Sequence, residues 1–374
     1  MASLFLGCLP VLVALALVGR NGIVFAQSVG ASPLKTGKEI YHAACVACHG
    51  PDGRGAPQTT VGFDQRLPDF TDCQFAAREA DSDWIGVVHG GGPSRAFSEI
   101  MPSFSEALSP NQIEAVVGYL RGFCQDRSWP RGELNLPRAL VTEKAFPEDE
   151  VVLTTTIPAE GAPAVTHEIL YEKRFGARNQ IEVKVPFALE RQARETWFGG
   201  VSDMALAFKR ALFHSINSGS IFSVSGEAKF PTGDKRRGFG SGVTIFETFA
   251  TYGQLLPADS FAQFQGGFEF PTHSDDASKA AFWRAVFGKT LTQGGGFGRA
   301  WSPMVELLAD RELATGRRVN WDLLPQVQVT LSKRQHIMAN FGVRFPLNNT
   351  GPRATEIIFY LLWDWFDGGL LEGW

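Results

Sequence analysis

Beyond residue 148 apolar and polar side chains alternate in runs of about ten residues, a period of two that belongs to strands and not helices. In 221–230, Phe222, Val224, Ala228 and Phe230 alternate with Ser223, Ser225, Glu227 and Lys229. In 261–270, Ala262, Phe264, Phe268 and Phe270 alternate with Gln263, Gln265 and Glu269, and in 336–345, Ile337, Ala339, Phe341, Val343 and Phe345 alternate with His336, Met338, Asn340 and Arg344. Counts of 40 Gly and 30 Phe suit many strands joined by turns. About twelve such runs, each with one nearly uncharged face, predict an antiparallel transmembrane β-barrel over 148–374, lipid outside and water inside. A soluble barrel would bury the apolar face, and alternation alone does not separate the two. The membrane reading turns Phe222, Val224, Phe264, Phe268, Phe341 and Val343 to lipid and Gln265 and Asn340 to water. It puts charges of both signs inside, among them Glu182, Lys184, Lys209, Glu227, Glu306 and Asp322. Trp197, Tyr252, Trp283, Trp301, Trp363 and Trp365 then become candidates for interfacial girdles, with Phe366 ending the last strand.

At 374 residues the chain has room for a second domain, and a formal net charge of −4 gives no reason to expect nucleic acid. Cys45-Val46-Ala47-Cys48-His49 is the pattern of covalent c-type haem attachment. Two thiols three residues apart on a helical turn each add to one vinyl group, and the adjacent imidazole points at the iron. No second Cys-x-x-Cys exists to complete a zinc site. The sixth ligand must come from downstream. Met101, in Ile100-Met101-Pro102, offers a soft thioether that raises the potential; His89, before Gly90-Gly91-Gly92, would lower it. His42 reads as helix surface.

Residues 1–26 read as a signal peptide, with an apolar stretch from Leu9 to Val18 and a small-residue exit at Ala26; a membrane anchor is the alternative. Cys8 would leave with it. Cys73 and Cys124 then remain as an even pair that could bridge in an oxidising compartment or stay as buried thiols. The haem domain is placed at 33–127 and a Pro- and Arg-spotted linker at 128–147. Ser109-Pro110 opens a helix carrying Ile113, Val116, Val117 and Leu120 at helical spacing, and another helix is expected from Asp81 to Val88.

A helix with Cys-x-x-Cys-His, a further helix, a Met-Pro loop and a last helix resemble class I monohaem cytochrome c, an all-α fold. The resemblance implies His49 and Met101 as axial ligands and an electron-carrying role. The second domain resembles an outer-membrane barrel family associated with phenol degradation. Together the two resemble the fused cytochrome–porins of iron-oxidising bacteria.

The expected function is therefore electron transfer at the bacterial outer membrane, with the cytochrome domain in the periplasm. One covalent haem c would exchange electrons with periplasmic carriers and with a small molecule or metal ion reached through the barrel. The alternative is a small-molecule channel with a periplasmic cytochrome plug or redox sensor. A haem enzyme would need an open coordination position, which Met101 would close. Gly294-Gly295-Gly296-Phe297-Gly298 reads as a turn rather than a nucleotide loop.

Overall fold

A computed structural model describes residues 34–364 apart from 64–65, 192–195, 276, 294–298 and 349–352. The expected signal peptide, Cys8, Trp365, Phe366 and the 294–298 glycine run lie outside the described residues.

The N-terminal domain contains α1 (Gly37–Ala44), α2 (Val46–His49), α3 (Gln58–Val61), α4 (Cys73–Ala76), α5 (Asp81–Gly90) and α6 (Pro110–Arg121). The expected all-α domain is only partly helical: three of these helices are single turns, and loops carry the chain between them. Thr36 opens α1 with a reciprocal capping box to Glu39, and Ser109 opens α6 with another to Gln112. The helix expected from Asp81 to Val88 begins at Asp81, with Ala80 as its cap, and runs two residues beyond Val88. α1 and α6 cross closely: a Cβ on Gly37 would sit 1.9 Å from the Ala115 carbonyl oxygen. Ile40, Tyr41, Trp84, Ile113, Val116 and Val117 form the centre of the core.

Cys73 and Cys124 form a disulfide, with Cα atoms 5.1 Å apart. It ties α4 to the chain just past α6, across 51 residues of sequence. Cys73→Ser with Cys124→Ser is expected to cost about 2–4 kcal/mol. Chemical denaturation followed by Trp fluorescence should show that loss; an unchanged midpoint would mean the helices are held without the bridge.

The second domain is a meander of strands: β1 (Glu150–Pro158), β2 (Ala164–Phe175), β3 (Asn179–Arg191), β4 (Trp197–Val201), β5 (Ala205–Ser215), β6 (Ser220–Lys229) and β7 (Ile245–Leu256). There follow β8 (Ser260–Pro271), β9 (Ala280–Lys289), β10 (Leu291–Thr292), β11 (Ala300–Glu312), β12 (Asn320–Thr330), β13 (Ile337–Pro346) and β14 (Glu356–Asp364). β4 prolongs the pairing of β5 along β3, and β10 is a two-residue addition to β11. The other twelve strands pair antiparallel in sequence order, and β14 pairs with β1 from Glu150↔Asp364 to Pro158↔Glu356. These twelve strands close into a barrel, and among the described residues only the short β4 and β10, at its mouths, keep an unpaired edge.

Its faces are sorted sharply. Phe268, Phe341 and Leu361 are 49–50 % exposed, whereas Gln265 and Asn340 are 3 % and 2 % exposed. The apolar face points out and the polar face in, which is stable against lipid and not against water. Phe341, halfway along β13, reports on this: Phe341→Arg is expected to cost about 2–4 kcal/mol in a bilayer. Urea titration of the protein refolded into vesicles would measure it. A cost below roughly 0.5 kcal/mol would place the residue away from the hydrocarbon.

The segment joining the domains enters the barrel. From Gly132 to Glu150 nearly every residue is buried or half-buried. Leu134 packs with Ile221, and Leu136 with Phe261, near one mouth. Leu140 and Thr142 reach Glu306, in the middle of β11, and Glu143 reaches Gln265, in the middle of β8. The chain then returns past Phe146, and the Glu148 N–H donates to Gln180 near the start of β3 before β1 begins. The result is a re-entrant loop filling the half of the lumen next to the N-terminal domain, where the sequence reading placed water or wall charges paired across a narrow barrel.

That domain docks on the same mouth. The Arg78 guanidinium meets the Asp149 carboxylate at 2.6 Å, both buried. His336, in the β12–β13 turn, lies 3.4 Å from Glu79 and 3.7 Å from Asp364. Arg334 donates to the Ala96 carbonyl at 3.1 Å and stacks over the Phe97 ring.

Candidate haem site

The two thiols arise from one turn of chain. Cys45 caps α2, and the N–H groups of Cys48 and His49 donate back to its carbonyl at 3.2 and 2.9 Å. Both cysteines are free thiols and half-buried. Burial pushes the Cys45 thiol up to about 11, which keeps it protonated and slow to oxidise at neutral pH. Tyr41, buried in α1, donates its hydroxyl to the Gly50 carbonyl at 2.6 Å and the His49 carbonyl at 3.2 Å. That clamp fixes the end of α2, and the Phe70 ring lies 5.1 Å from the imidazole.

Met101 comes from a loop held against the end of α5. The Gly92 N–H donates to the Met101 carbonyl at 2.9 Å, and the Ser103 hydroxyl donates to the His89 carbonyl at 2.6 Å. The glycines before it are there for space: a Cβ on Gly91 would lie 2.9 Å from the Met101 oxygen, and one on Gly92 2.1 Å from the Ser98 oxygen. Met101 and Cys45 pack against the same core cluster. His89 lies in the last turn of α5 and lends its carbonyl to the loop. His42 is exposed.

These residues fit a haem. Burial lowers the His49 pKa, so its imidazole is neutral at physiological pH, and its Nδ1 is buried with no hydrogen-bond partner. A neutral histidine, two free thiols at covalent spacing and a thioether on the same core form the donor set of a c-type site. Among the described residues no cluster of His, Cys, Asp and Glu offers a separate metal site.

Sequence reading missed Tyr41 as the clamp and the glycine run as the cradle of the Met101 loop. A Tyr four residues before Cys45 and three glycines nine or more residues before Met101 were the available signals.

Residues 34–123 match the Cytochrome c family. This stretch is a cytochrome c domain, and the family implies covalently bound haem. No curated protein matches the chain. Among solved structures the barrel is similar to an outer membrane channel from Pseudomonas putida F1, at 11% identity and TM-score 0.43, covering 57% of this chain and 94% of that one. It is also similar to the KdgM porin, at 9% identity and TM-score 0.38, and to the NanC porin, at 7% and 0.40; each alignment covers 57% of this chain and 98% of the porin. The chain is thus a fusion of a cytochrome c domain and a closed twelve-stranded barrel.

Proposed function

We propose that this protein is an electron carrier anchored in the bacterial outer membrane. Cys45 and Cys48 hold a single haem c covalently, His49 and Met101 are its axial ligands, and the domain exchanges electrons with periplasmic carriers. The bound haem supplies a one-electron couple. The chain contributes the rest: Tyr41 and Phe70 orient His49, the glycine run brings Met101 to the core, and the buried cluster keeps water away.

The observation that carries this reading is the docking of the cytochrome domain on one mouth of a barrel whose outer face is apolar. The links between paired strands at that mouth are 176–178, 216–219, 257–259, 290–299 and 331–336, whereas the other mouth carries the mostly longer 159–163, 192–204, 230–244, 272–279, 313–319 and 347–355. Outer-membrane barrels keep short turns on the periplasmic side and long loops outside. This pattern supports a periplasmic position for the domain.

The loop inside the lumen bears on the small donor or acceptor. A molecule entering from the far mouth stops at the loop's tip, about half of a ~25 Å apolar band away from the cytochrome's mouth. The outer half of the lumen is then its only place of contact unless the loop withdraws. The same loop weighs against the channel alternative in the resting state.

The test is fractionation of cells expressing the full chain, followed by haem quantitation. One c-type haem per polypeptide in the outer membrane is expected. Haem-free protein there, or holoprotein recovered entirely as soluble material, would refute the proposal.

A further inference from the structure

The re-entrant loop is built to fit the wall it touches. Its Arg138 meets Glu150 at 2.6 Å and Glu172 at 2.8 Å, and its Glu143 meets Lys184 at 2.8 Å. Arg138 and Glu143 thus each face an opposite charge on a strand, while Lys144 pairs with Glu148 inside the loop and with Glu150 at 3.3 Å. The Arg138 carbonyl accepts from Tyr360 at 2.7 Å and Asn340 at 3.2 Å, so backbone as well as side chains is spoken for.

One carboxylate takes most of the tip's donors, alongside bonds to Gln326, Gln265 and Arg284. The N–H groups of Leu140, Val141 and Thr142 donate to Glu306 at 3.0, 3.1 and 2.8 Å, and the Thr142 hydroxyl donates at 2.6 Å. Glu306 is fully buried, and Gln326 donates at 2.6 Å to the same Oε1 that accepts from Leu140 and Val141. Three successive backbone donors on one carboxylate form an anion nest, with the anion supplied by the barrel wall. Charge-assisted bonds of this kind are about twice as strong as neutral ones, and they exist only while the tip stays at mid-height.

We propose that residues 132–149 are a plug that seals the barrel to ions and small solutes, and that Glu306 is its latch. The proposal rests on the membrane reading above. The plug meets the cytochrome domain where Arg78 and Asp149 lie 2.6 Å apart, so seal and electron carrier are in direct contact. The barrel then anchors and orients the cytochrome without opening a hole in the membrane. Passage through it requires the plug to move.

The test uses the full-length holoprotein in planar bilayers. Three variants are compared with it: Glu306→Ala, Glu306→Gln, and a chain in which 134–148 is replaced by Gly/Ser of equal length. Heat-modifiable migration reports whether each barrel has folded and inserted. The parent is expected to be nearly closed and the Gly/Ser chain open, with at least tenfold greater conductance. Glu306→Ala should flicker open, and Glu306→Gln, which still accepts hydrogen bonds but lacks the charge, should lie between it and the parent. A parent that conducts as strongly as the Gly/Ser chain overturns the plug. A Glu306→Ala variant as tight as the parent overturns the latch. A parent that never inserts would instead sink the membrane reading, and conductance would not be the measurement that failed.

Discussion

Met101→Ala is expected to abolish the weak long-wavelength band of the oxidised protein and to lower its midpoint potential. The band arises from a thioether–iron bond, so it reports the ligand directly. Removing the soft sulfur admits water or a nitrogen donor, both of which favour ferric iron. The shift should be on the order of 100 mV or more, within the ~0.8 V range that axial ligands command. Covalent attachment should survive, since Cys45, Cys48 and the Tyr41 clamp lie on another part of the chain. Spectropotentiometry of the purified variant checks both effects. A band that persists would assign the sixth position to another residue, His89 being the first to examine.

The second large effect belongs to the barrel wall. Lys209 is fully buried, with its ammonium 2.9 Å from Glu182, 3.7 Å from Glu172 and 3.8 Å from Glu143. It is the hub of carboxylates coming from two strands and the plug. Lys209→Met keeps the length of the side chain and removes the charge. It leaves buried carboxylates facing one another with less compensation, which should cost about 3–5 kcal/mol. Lowered thermal stability of the barrel in detergent, read from heat-modifiable migration, is the expected sign. Adding Glu182→Gln should recover part of the loss, because the repulsion falls with the second charge. A single variant as stable as the parent would mean that water reaches this cluster and screens it.

Much of this was legible in the sequence because it rests on local patterns. A period of two over about ten residues sets strands and their faces whatever the rest of the chain does. Ser109-Pro110 and the spacing of Ile113, Val116, Val117 and Leu120 fix α6 in the same way. The proposed haem ligands rest on spacing at one end and on the scarcity of methionine at the other. The plug was not legible. Its partners lie far away in sequence: Leu140 and Glu306 are 166 residues apart. Its Pro and Arg residues imitate a solvated linker, yet Leu134, Leu136, Leu140, Val141 and Phe146 make it too apolar for one. The disulfide was undecidable for a similar reason, since only the fold supplies the distance between Cys73 and Cys124. Charges inside the barrel read as a wet lumen until the loop that pairs with them is in view.

The central claim is that the cytochrome sits at one mouth of a sealed, lipid-embedded barrel and exchanges electrons on that side alone. Holoprotein in sealed vesicles, sorted by protease access to the cytochrome domain, tests it most directly, because this barrel is then the only protein route across the lipid. A small membrane-impermeant reductant added on the cytochrome side should reduce the haem at once. The same reagent on the opposite side should leave it oxidised over that time. Equal rates from both sides would contradict the account and make the barrel lumen a working path to the haem.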